Sequence, residues 1–130
     1  MKLGIGSLFV AIALIVVAGS LAAQQTDLSG TWSGPTRIPN MSDNDQITLI
    51  LKKAGDSYSG SVSDAMGMVN EAALENVKFE NNALTFEFVV SVNGQNERVS
   101  NKLDYKDGKL VGSWWTEDGT TGPLDLTRKT

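Results

Sequence analysis

Ala83-Leu84-Thr85-Phe86-Glu87-Phe88-Val89-Val90-Ser91-Val92-Asn93-Gly94-Gln95-Asn96-Glu97-Arg98-Val99-Ser100-Asn101-Lys102-Leu103-Asp104-Tyr105 is the stretch that decides the fold. In its first arm Leu84, Phe86, Phe88 and Val90 recur at every second position. In its second arm Val99, Asn101, Leu103 and Tyr105 do the same. A period of two is the signature of a strand with one face in a core and the other in water. Between the arms stands Asn93-Gly94, a dipeptide that supplies the positive φ a two-residue hairpin demands. The arms, 83–92 and 97–105, are therefore predicted to be antiparallel neighbours.

The same grammar extends both ways. Asp107-Gly108 leads into 109–116, with Leu110, Gly112 and Trp114 on one face. Residues 122–129 follow, with Leu124, Leu126 and Arg128. Upstream, Asn81-Asn82 follows 76–80, which carries Val77 and Phe79. Ala54-Gly55-Asp56 separates 46–53 (Ile47, Leu49, Leu51) from 57–63 (Tyr58, Gly60, Val62), and 30–38 comes first. No stretch keeps a 3.6-residue stripe. Short links force sequential strands to be adjacent, so the expected fold is all-β, an eight-stranded antiparallel up-and-down meander. Closing it into a barrel removes its sticky edges. Gly30, Gly60 and Gly112 share an apolar-x-Gly-small-apolar context, read as points where a closed sheet bends. Two connectors are longer, 39–45 and 64–75, and the second has room for a helical turn. Met41, Met66 and Met68 fall in or beside them, which makes these loops the expected portal.

Met1-Lys2 precedes an uncharged apolar run that breaks at Gly19-Ser20 and exits through Ala22 and Ala23. This is the pattern of a secretory signal peptide, residues 1–23, cleaved after Ala22 or Ala23. Residues 24–130 then form a single exported domain, periplasmic or extracellular. The alternative is an uncleaved membrane anchor, although its apolar part is shorter than the ~20 residues a spanning helix uses.

Composition removes whole classes of chemistry. There is no Cys, hence no disulfide, thiolate nucleophile or Cys-ligated zinc. There is no His, hence no conventional triad and no imidazole base or ligand. Fifteen acidic against eleven basic residues, without a basic stripe, argues against nucleic acid. No phosphate loop is visible. Asp43-Asn44-Asp45 reads as a turn and not as a calcium loop, so no metal or cofactor is expected. Glu71, Glu75, Glu117 and Asp118 are the only carboxylates offered for hydrolysis, and nothing sets them apart from solvated loop charges.

Gly30-Thr31-Trp32 at the start of the first strand and Arg128 in the last resemble the calycin group of lipocalins, fatty-acid-binding proteins and avidins. The resemblance implies a lipocalin-like barrel whose floor Trp32 plugs, with Arg128 capping it by cation–π stacking and Gly30 beside it. Leu28–Trp32 and Gly122–Arg128 are also similar to the first and last motifs of short exported bacterial domains of this type. Typical lipocalins are longer and often carry a disulfide and a C-terminal helix. Ser33-Gly34-Pro35 does not match the polar residues that contact biotin in avidins, so biotin is not implied.

The leading expectation is a non-enzymatic exported barrel that binds a small hydrophobic or amphipathic ligand, without stable membrane insertion once the leader is removed. Asn101, Trp114, Phe86, Phe88, Tyr58, Met66 and Met68 are the expected contacts, in a hollow lined also by Leu49, Val62, Val99 and Leu103. The alternative is a solid-core structural or protein-interaction envelope domain of inhibitor-like kind. A hydrolase, which would need carboxyl groups of raised pKa in a cleft, is the third reading. Trp32 and Trp114 are expected inside and Trp115 outside, because neighbouring strand residues face opposite ways.

Overall fold

The computed structural model describes residues 26–129. The expected leader lies outside them. Three two-residue turns form where Asn or Asp occupies left-handed positions: Asn81 and Asn82 (φ 54° and 62°), Asn93 and Gly94 (52° and 79°), and Asp107 and Gly108 (52° and 78°). Positive φ at both central residues matches the right-handed twist of the flanking strands.

These turns and longer links join β1 (Gly30–Thr36), β2 (Asp45–Ala54), β3 (Ser57–Asp64), β4 (Ala72–Ala73), β5 (Glu75–Glu80), β6 (Ala83–Val92), β7 (Gln95–Lys106), β8 (Lys109–Thr116) and β9 (Thr121–Arg128). The described residues contain no helix. All pairings are antiparallel, in the order β4-β3-β2-β1-β9-β8-β7-β6-β5, so first and last strands are neighbours and the sheet is nearly closed into a barrel.

The strand count is nine, not eight. The chain is already paired with β3 at Ala72 and Ala73, and then crosses to pair with β6. Asn76 sits at φ 52°, and the register shifts between Glu75 and Lys78. The extra strand, β4, lies inside the predicted 64–75 connector, which is therefore shorter than expected and holds no helical turn; the predicted 76–80 strand is β5. Side chains span the seam. Ser57 Oγ donates to the Val77 carbonyl (2.9 Å), and Tyr58 meets Phe79 edge-on at 6.3 Å between ring centroids.

Curvature has a visible cause. A Cβ at Gly112 would lie 1.9 Å from the Lys102 carbonyl oxygen, and one at Gly60 would lie 1.8 Å from that of Ile50. The neighbouring strand folds over these positions so closely that no side chain fits.

The barrel has two unlike halves. At one end Leu28, Trp32, Leu51, Leu84, Leu103, Leu110 and Leu126 are all but inaccessible and form a solid floor. Each such side chain contributes about 1.5–3 kcal/mol relative to exposure. The Arg128 guanidinium lies 4.4 Å above the Trp32 ring and donates to the carbonyls of Ser29 and of Asp27, the latter at 2.9 Å. Trp32 Nε1 in turn donates to the Leu28 carbonyl (2.9 Å). The segment before β1 is thereby strapped across the floor. A Cβ on Gly30, at φ 131°, would come within 3.1 Å of the guanidinium.

Candidate ligand cavity

The other half is hollow. The sheet spreads toward the loops at 37–44, 65–71, 93–94 and 117–120, and between them opens a cavity of about 490 Å³. That is within the ~300–1,000 Å³ of small-molecule sites. Leu49, Val62, Phe86, Phe88, Val90, Val99, Leu124 and Leu126 form its apolar wall. Phe86 and Phe88, two residues apart on β6, stack at 6.5 Å with 28° between their planes. Met68 and Val92, both exposed, reach the rim.

Trp114 is placed by a glycine and a threonine. It pairs with Gly122 on β9 and Asn101 on β7. A Cβ on Gly122 would lie 2.6 Å from Trp114 Nε1, so the indole lies flat over a position kept bare for it. Nε1 donates to Thr36 Oγ1 (2.8 Å), which donates onward to the Pro123 carbonyl (2.6 Å). This relay ties β8, β1 and β9 together at mid-barrel.

Asn101 is 4% exposed, as an inward strand position should be. Its Nδ2 donates to the carbonyls of Phe86 (3.3 Å) and Val99 (3.4 Å). The donor half of the amide is satisfied by backbone. No hydrogen bond among the described residues uses its Oδ1.

Of the expected contacts, Asn101, Trp114, Phe86, Phe88 and Met68 line the cavity. Tyr58 does not: it lies in the floor, where its hydroxyl accepts from the Leu28 N–H (2.9 Å). Met66 is exposed in the 65–71 loop and is not part of the wall. Leu103, expected in the hollow, is packed in the floor. Trp32 is buried, and Trp115 is exposed on the outside.

The sequence reading missed one group of residues. Asp45, taken for part of a turn, opens β2 with its side chain inward and 2% exposed. Asp64, at the end of β3, reaches the same place. Asp45 Oδ1 accepts from the N–H of Gln46 (2.8 Å) and Met66 (3.2 Å), and Asp64 Oδ1 accepts from that of Val69 (2.8 Å). Both Oδ2 atoms are buried without a donor. Burial raises the pKa of Asp64, and the neighbouring Asp45 carboxyl raises it further. The available sequence signal was parity: Asp45, Ile47, Leu49 and Leu51 share one alternation.

The other carboxylates divide. Glu97 and Asp118 line the cavity, whereas Glu71, Glu75 and Glu117 are exposed and do not. Glu75 and Glu87 pair with Arg98 on the outer face (2.9 and 3.3 Å). Asp118 accepts from Thr116 Oγ1 and from the Thr120 N–H (3.0 Å), and these bonds hold its pKa below the ordinary value. Among the described residues, no cluster of three or more His, Cys, Asp or Glu is placed to hold a metal ion.

No protein-family model, curated protein or solved structure matches the chain.

Proposed function

We propose that this domain is a non-enzymatic, lipocalin-like carrier that takes a small amphipathic molecule into its barrel, apolar part first. The observation that carries the reading is the 490 Å³ cavity, apolar at depth and polar toward the loops. Exposed Met68 and Val92 at the rim offer an adaptable apolar entrance. The signal-peptide pattern at 1–23 supports an exported setting, in which such a carrier meets ligands outside the cytoplasm. The paired carboxyls Asp45 and Asp64 suit binding better than hydrolysis, because each has one oxygen held by backbone N–H and the other without a donor.

Native mass spectrometry of the protein purified from its source, followed by denaturing mass analysis, tests this. The expected result is a co-purifying small molecule that is lost on denaturation. An apo mass, with no thermal shift across a panel of lipids and small hydrophobes, would overturn the carrier reading in favour of an interaction role for the outer face.

A further inference from the structure

Donors and acceptors are unequally used in the cavity wall. The inner donors are committed. Trp114 Nε1 is on Thr36, Thr36 on the Pro123 carbonyl, Thr116 on Asp118, and Asn101 Nδ2 on two backbone carbonyls. The acceptors are not. Asp45 Oδ2 and Asp64 Oδ2 have no donor, although Asp45 is 98% buried at 2% exposure. A buried acceptor without a partner costs about 1–3 kcal/mol, so such groups mark where something else supplies hydrogens.

Charge points the same way. The ionisable side chains on the wall are Asp45 from β2, Asp64 from β3, Glu97 from β7 and Asp118 from the β8–β9 loop. All are acidic. Among the described residues, no Lys or Arg lines the cavity. An anionic head group would find no cation and no spare inner donor.

We infer that the ligand is an organic cation: a protonated primary amine seated between Asp45 and Asp64, with its apolar tail against Leu49, Phe86 and Phe88. The inference rests on the carrier reading and names its ligand class. The ammonium carries three N–H groups, enough to supply the donor each Oδ2 lacks once the two carboxyls turn toward the cavity. Glu97 and Asp118 add negative potential at the mouth and no opposing charge.

The test is calorimetric titration of the wild-type protein with decylamine, decanol and decanoate, each below its micelle concentration. Decylamine is expected to bind at least about tenfold more tightly than decanol, the effect of one charge-assisted hydrogen bond. Decanoate is expected to bind most weakly. In Asp45→Asn and Asp64→Asn the preference for the amine is lost. If decanol or decanoate binds as tightly as decylamine, the cation assignment is overturned and the amphiphile carrier stands. If none of the three binds, both are overturned. The wild-type ranking decides even where a variant fails to fold.

Discussion

Asp45 and Asp64 meet carboxyl to carboxyl on the inner face of adjacent strands, each tethered through Oδ1 to backbone N–H groups and each left with a buried, donorless Oδ2. Such a pair is in conflict once both groups ionise.

The conflict sets a pH dependence. The pKa of Asp64 is raised in the folded protein, by burial first and by Asp45 second. Below the ordinary carboxylate range its proton is bound in both folded and unfolded chains, and its contribution to stability is complete. As pH rises, the unfolded chain loses the proton first, so stability falls until the folded Asp64 titrates as well. Asp27 and Asp118 behave oppositely: their lowered values give stability that is present above the ordinary range and lost in acid. Asp64→Asn, whose amide can donate to Asp45, should melt higher than wild type near neutrality, with the gap closing toward acid. Thermal melts between about pH 3 and 8 read this directly. An unchanged gap across that range would refute it.

Arg128 joins an aromatic contact to two carbonyl acceptors at the floor. Arg128→Ala should cost about 1–3 kcal/mol in urea unfolding. Arg128→Lys should recover only part of that, because an ammonium lacks the planar fork that reaches two carbonyls while stacking on an indole.

Gly122→Ala places a methyl 2.6 Å from Trp114 Nε1 and 2.3 Å from the Arg37 carbonyl oxygen. Backbone cannot yield as an indole can, so both must shift. The expected cost is about 1–3 kcal/mol, as for other overpacked sites. The hydrogen bond to Thr36 should break, seen as a shifted tryptophan emission.

Filling the cavity separates binding from stability. Val99 lies on the cavity wall and is 7% exposed. Val99→Phe directs its added bulk into empty space, so the melting temperature should hold or rise. Ligand uptake, read by thermal shift with decylamine, should fall sharply. Retained uptake would place the ligand elsewhere.

The strands were legible because their physics is local. A two-residue period and three dipeptides rich in Asn, Asp and Gly determine register, and the 83–92 and 109–116 boundaries match the observed β6 and β8. The short β4 was not legible: two alanines carry no alternation, and their pairing with β3 comes from the return of the 65–71 loop before the chain moves on to β6. Asn101 and Trp114 could be placed by alternation alone. Tyr58 could not, because parity gives the face of a strand and not the height along the barrel. The Asp45–Asp64 pair was hidden for a related reason: Asp beside Asp43 and Asn44 has the composition of a turn, and its partner is on another strand.

The strap of residues 27–29 beneath Arg128 gives the molecule a direction. The described chain enters beside the floor, and β9 ends there, so both of its ends are remote from the mouth. A support, a fusion partner or a lipid surface attached ahead of Thr26 would hold the barrel like a cup by its base, with the opening turned outward.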